Sequence, residues 1–109
     1  MEQRRTKRFD LSLPVEVLRA GSVHTSRFAK TRNISSGGVL LLSPSEMEIG
    51  GPVEYVITLS SGNGNSVNLR CLGKVLRQEP LEAKDEGGRY SVAVSLERYE
   101  FTRSFGLAG

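Results

Sequence analysis

The sequence predicts an all-β fold, a six-stranded antiparallel β-barrel, and three observations carry that reading. Apolar residues recur at every second position over six separate stretches, the spacing that gives a strand one buried face and one wet face. Clusters of Gly, Ser, Asn and Pro punctuate those stretches, as turns between antiparallel strands require. No long segment carries the 3.6-residue period of an amphipathic helix. Barrel and sandwich both satisfy this pattern, and closure favours the barrel because it removes exposed strand edges.

Taken in order, the first strand covers residues 9–18, with Leu11, Leu13, Val15 and Val17 on one side and Asp10, Ser12 and Glu16 on the other. Pro14 lacks an N–H and places this strand at an edge or a bulge. Ala20-Gly21-Ser22 reads as a hairpin turn. The second strand, residues 23–33, is weaker, since only Val23, Phe28 and Ala29 are apolar. Residues 38–42 form a third strand whose unbroken apolar run predicts cover on both faces. Beyond Ser43-Pro44-Ser45, Met47 and Ile49 are expected to fold back onto the core. The fourth strand alternates cleanly, with Val53, Tyr55, Ile57 and Leu59 inward. A flexible polar loop, residues 60–66, leads to a fifth strand over residues 67–78, where Val67, Leu69, Cys71, Gly73 and Val75 face in. Gly73 in mid-strand predicts a bend or a bulge. Residues 79–88 read as a charged, solvated loop, and residues 89–96 as the sixth strand, with Tyr90, Val92, Val94 and Leu96 inward. After it the sequence allows a short C-terminal helical turn at most, with Tyr99, Phe101 and Phe105 as its apolar contacts.

A chain of 109 residues is one domain, long enough to bury a core without staples. The hydrophobic class is 38% and there are 12 glycines, a globular rather than a disordered composition. Cys71 is the single cysteine and cannot close an internal disulfide, which suits a reducing compartment. His24 has no Cys/His cluster around it, so no metal site is expected. No apolar run approaches the ~18 residues of a membrane span, and the basic N-terminus leads into alternating sequence instead of a signal-peptide core. The expectation is a soluble, cytoplasmic protein.

Charge is concentrated at one end. The formal net charge is +3 and the pI about 9.4. Arg4, Arg5, Lys7 and Arg8, set against Glu2, already account for all of that surplus, so the other 101 residues balance. A nucleic-acid groove would spread its charge along a face. A cationic tip suits a compact anion better.

A second stretch gives that tip a counterpart. Asn33-Ile34-Ser35-Ser36-Gly37-Gly38 lies between the second and third strands. Its plainest role is a tight connection, because Asn, Ser and Gly favour turns. Short polar side chains beside two glycines also make a bare platform, on which a flat ligand can approach backbone N–H groups.

Together, Arg4-Arg5-Thr6-Lys7-Arg8 and Asn33-Ile34-Ser35-Ser36-Gly37-Gly38 resemble the paired R-x-x-x-R and [D/N]-x-S-x-x-G signature of the PilZ domain, in order, spacing and strand context. The resemblance spans essentially the whole chain. It implies a six-stranded barrel that binds cyclic di-GMP, a bacterial second messenger with two guanines and two bridging phosphates. By that analogy Arg4 and Arg8 grip phosphates and guanine Hoogsteen edges, Asn33 meets a Watson–Crick edge and Ser35 hydrogen-bonds the ligand. Gly38 keeps the floor clear, Gly37 beside it counts among the ligand-binding residues, and Arg5 is a candidate for a second guanine stack. Two features depart from the family pattern. Ala93 stands where the sixth strand often has Gly, and little sequence follows Leu96 for the usual C-terminal helix.

Residues 1–9 are thus read as a basic ligand-binding arm and residues 10–109 as a single barrel domain. The chemistry agrees with the ligand. A guanidinium fork matches O6 and N7 of guanine together, stacks on a purine face and pairs bidentately with phosphate, whereas lysine serves phosphate alone. The arm repels itself and is expected to order over the platform when the ligand neutralises it. Ligand-driven ordering would create a surface for a separate downstream protein, with the receptor a monomer or a ligand-linked dimer. No catalytic triad, paired-carboxylate cleft or phosphate-loop motif is present, so neither an enzyme nor a further cofactor is expected. Two competing readings are a small basic barrel binding single-stranded nucleic acid and a ligand-independent interaction module. The first wants exposed aromatics interleaved with cations, and the chain has no Trp.

Overall fold

The computed structural model describes residues 8–21, 23–62, 65–85 and 88–105. Seven strands cover most of them: β1 (Pro14–Ala20), β2 (Val23–Ser35), β3 (Gly38–Ser43), β4 (Pro52–Gly62), β5 (Asn65–Asp85), β6 (Gly88–Ser95) and β7 (Arg98–Phe105). Every pairing is antiparallel. The order β4-β1-β2-β3-β6-β5 returns to β4 through β4–β5 pairing, which closes a six-stranded barrel. β7 lies outside the ring, paired along the first half of β5.

The alternation read from sequence fills the interior. Val15, Val17, Val39, Leu41, Val53, Tyr55, Ile57, Cys71, Val75, Val92 and Val94 are buried in one cluster. Met47 joins them, its backbone N–H donating to Gln78 Oε1 at 2.7 Å, whereas Ile49 stays 59% exposed. Ile49 does not fold back as expected, because the turn at Gly50 (φ 86°) turns the chain away before Pro52. Tyr55 is wholly buried and donates its hydroxyl to the Ser95 carbonyl at 3.1 Å. Burial pushes its phenol above the ordinary range, and pushes the neighbouring Cys71 thiol up to about 11. Cys71 is a core residue.

Several strands exceed their sequence-predicted bounds: β2 runs on to Ser35, and β4 to Gly62 with β5 from Asn65, which takes most of the expected 60–66 loop into the hairpin. β5 continues to Asp85, and its hairpin with β6 takes in residues read as a solvated loop, with Pro80 opposite Tyr90 and Asp85 opposite Gly88. At the C-terminus, the place held open for a helical turn is taken by β7. Its sequence, RYEFTRSF, alternates at a period of two and matches a strand.

β6 and β7 lie end to end along β5, and Gly73 sits where they meet. A Cβ at Gly73 would stand 1.9 Å from the Ser95 carbonyl oxygen, so only glycine allows this approach. Lys74 donates its N–H to Ser95 Oγ at 2.9 Å and Glu97 its N–H to the Leu72 carbonyl at 2.9 Å, bracketing the crossing. The register irregularity predicted at Gly73 falls just beyond it, between Val75 and Arg77.

Candidate ligand-binding site

The motif at residues 33–38 forms the β2–β3 turn. Ser35 opposes Gly38 across a two-residue connection, and the Ser35 hydroxyl ties the turn together. Gly37 N–H donates to Ser35 Oγ and Ser35 Oγ donates to the Gly38 carbonyl, both at 3.3 Å. Bonds this long are weak, so a better acceptor or donor can compete for the hydroxyl. The Gly37 carbonyl accepts from Leu96 N–H at 3.2 Å and moors the turn to the end of β6.

A bulge decides which way the polar side chains point. β2 and β3 pair as Thr31↔Leu41 and then Asn33↔Leu40, leaving Arg32 as the extra residue. Thr31 therefore faces the core at 1% exposure, and Ile34 packs inward on the same cluster. Asn33 and Ser35, on either side of Ile34, share the outer face. Unbroken alternation from Thr31 would have driven Asn33 into the core. The sequence carries no visible sign of this irregularity, since its effect lies in the register with β3.

The two glycines do different work. Neither takes a left-handed conformation. A Cβ at Gly38 would meet the Val94 carbonyl oxygen at 2.7 Å, so the barrel itself demands glycine there, whatever the ligand. Gly37 is exposed, with nothing within 4 Å of a Cβ. Among the described residues, no neighbour requires glycine at that point.

Arg8 and Phe9 lie beside this turn. Phe9 and Ile34 exchange backbone hydrogen bonds, Phe9 N–H to Ile34 O at 2.8 Å and Ile34 N–H to Phe9 O at 2.9 Å. Extending this antiparallel bridge by one residue sets Arg8, which is solvent-exposed, opposite Ser35. Farther back, Thr31 N–H donates to the Leu13 carbonyl at 3.0 Å and Leu13 N–H donates to Thr31 Oγ1 at 2.8 Å. Thr31 Oγ1 in turn donates to the Leu11 carbonyl. These bonds tie Phe9, Leu11 and Leu13 to β2 beside the turn. Arg4 and Arg5 lie outside the described residues. Arg8, Asn33, Ser35, Gly37 and Gly38 are brought to one corner.

A surface hollow of about 760 Å³ lies elsewhere, on the outer side of β4, β5 and β7. Glu54, Glu97 and Glu100 line it together with Arg19, Arg70 and Arg98, and Arg70 is already engaged by Glu54, Nε to Oε2 at 2.8 Å. Three carboxylates balance the three arginines, so this lining has no net positive charge to draw a ligand with two phosphates.

Residues 2–101 match the family described as the PilZ domain. The chain belongs to the PilZ domain family. PilZ domains are ligand-binding modules, and the family binds cyclic di-GMP. No curated protein and no solved structure matches the chain. The closed barrel accords with the membership, and Ala93 is accommodated half-buried between Leu40 and Arg77. Among the described residues, no helix is long and apolar enough to cross a membrane.

Proposed function

We propose that this PilZ domain is a receptor for cyclic di-GMP, seated at the corner formed by the arm and the β2–β3 turn. The observation that carries the reading is the Phe9–Ile34 bridge, which delivers Arg8 to the position opposite Ser35, with Asn33 on the same outer face. A planar guanidinium, an amide and a hydroxyl gathered beside a bare turn offer a guanine nucleotide the contacts it needs. Arg8 and Arg4 supply the bidentate contacts to phosphate or to O6 and N7, Asn33 reads the guanine edge and Ser35 exchanges its turn bond for one to the ligand. Arg5 provides the stacking cation if a second ligand intercalates. The output passes to a separate cytoplasmic protein that recognises the ligand-bound corner.

Titrating cyclic di-GMP by calorimetry against the wild type and Arg8→Ala tests this. Binding that the variant loses supports the receptor; a wild type that takes up no heat refutes it.

One observation favours the nucleic-acid alternative. Tyr99 and Phe101 on β7 are 59% and 65% exposed, and Arg98 and Arg103 are exposed beside them. Their rings meet edge to face at 6.2 Å, though, and Glu97 and Glu100 intervene, an arrangement poorly suited to stacking successive bases along a phosphate backbone. A single-stranded oligonucleotide that binds more tightly than the dinucleotide, with a steep salt dependence, would favour this reading over the first.

A further inference from the structure

Thr31 is the one buried threonine among the described residues, at 1% exposure, and its hydroxyl serves no strand ladder. It spans a misfit. Between Leu13 and Phe9 the arm takes four steps, while β2 takes three between Thr31 and Ile34, their partners. Backbone pairing cannot run continuously across unequal lengths, so groups on the arm are left without a ladder partner. Thr31 Oγ1 takes up two of them, accepting from Leu13 N–H at 2.8 Å and donating to the Leu11 carbonyl. Both bonds anchor the arm just before it reaches the Phe9–Ile34 bridge.

The geometry points to Thr31 as a positioning residue for the ligand site: its hydroxyl clasps residues 11–13 so that Arg8 is presented to the β2–β3 turn before any ligand arrives. This rests on the cyclic di-GMP reading. Thr31 itself faces the core and touches no ligand. Its effect runs through the arm. With residues 9–13 docked, Arg8 already stands at the turn for the ligand to meet. Without the clasp, the binding-competent arrangement is populated for a fraction of the time, and apparent affinity falls by that fraction.

Thr31→Val keeps the shape and removes both bonds, whereas Thr31→Ser keeps the hydroxyl. The expected loss of cyclic di-GMP affinity is about ten-fold for Thr31→Val, from two hydrogen bonds of ordinary net strength, and slight for Thr31→Ser. In an Arg8→Ala background Thr31→Val should cost less than in the wild type, because one of the groups the clasp presents is gone; a merely structural role would cost the same in both backgrounds. Hydrogen exchange gives a readout that needs no variant. In the ligand-free wild type the Phe9 and Leu13 amides should be protected, and in Thr31→Val they should exchange faster while Val92 and Val94 do not change. Unprotected Phe9 and Leu13 amides in the wild type, or protection that survives Thr31→Val, would overturn the clasp and leave the receptor intact. Equal affinity of wild type and Thr31→Val would overturn the positioning role. A wild type that does not bind cyclic di-GMP would remove the receptor reading, and this role with it.

Discussion

Phe9 and Ile34 are joined by a reciprocal pair of backbone hydrogen bonds of 2.8 and 2.9 Å, although the β1 strand does not begin until Pro14. That isolated bridge brings Arg8, the last residue of the basic segment, to the β2–β3 turn, although it lies 25 residues before Asn33 in sequence. The consequences below can each be measured.

Arg8→Ala removes a guanidinium fork, and a good bidentate contact to guanine is worth about 1–3 kcal/mol. Cyclic di-GMP affinity should therefore fall by roughly 5-fold to 150-fold. Arg8→Lys should recover part of it, since an ammonium keeps the charge and loses the fork. Calorimetry on the three proteins at one salt concentration checks the order, and Arg8→Lys equal to wild type would argue against bidentate contact.

The glycines of the turn separate folding from binding. Gly38→Ala drives a methyl against the Val94 carbonyl and should cost about 1–3 kcal/mol of stability. Gly73→Ala, with the Ser95 carbonyl nearer still, should cost at least as much. Gly37→Ala meets nothing and should leave the thermal midpoint within about a degree or two, in keeping with other uncrowded surface changes. Its affinity for cyclic di-GMP should nonetheless drop, because the methyl stands where the nucleotide approaches. Thermal unfolding and ligand titration of the three variants distinguish these effects; a Gly37→Ala protein with unchanged affinity would place the ligand away from the turn.

How much of this was legible in the sequence follows from the kind of information each element needed. β4 and β6 could be read residue by residue, because Val53, Tyr55 and Ile57, like Val92 and Val94, alternate without interruption and face a single core. The outward turn of Asn33 could not, since the bulge at Arg32 is a mismatch between two strands and leaves no mark on either alone. Gly38 and Gly73 were visible as glycines, but their need depends on carbonyls of Val94 and Ser95 that lie far along the chain. Phe9 was placed in a continuous first strand; the extra residue in the arm breaks that strand and leaves Thr31 to bridge the gap. The C-terminal strand was missed for a local reason. The aromatics Tyr99 and Phe101 suggested a helix contact with the core, while their alternate spacing was the better guide.

Alkaline pH should destabilise the barrel through Cys71. Burial raises the thiol to about 11 in the folded chain, above its value when unfolded. A group raised in this way contributes fully below its unfolded value, and that contribution is lost as pH climbs through the folded one. Tyr55, raised by burial in the same sense, adds to the loss. The denaturant midpoint should therefore decline between about pH 9 and 11. Cys71→Ala should lower the midpoint at pH 7 and flatten its decline. A thiol reagent should modify Cys71 only as fast as the chain unfolds, and rapid labelling of the folded protein would contradict the burial.

Asn33→Ala should leave stability nearly unchanged, as the side chain lies half-buried on the outer face. Its affinity for cyclic di-GMP should fall by about 5-fold to 100-fold through the lost contacts to the guanine edge. Asn33→Ala that binds as well as the wild type would remove this residue from the site.

The central claim is that cyclic di-GMP is held where the arm meets the β2–β3 turn. Backbone amide shifts in nuclear magnetic resonance, followed during a titration with cyclic di-GMP, test it most directly. The account predicts the largest changes at Phe9 and at residues 33–38, with β7 silent. Changes centred on Tyr99 and Phe101, or an unmoved spectrum at saturating dinucleotide, would contradict it.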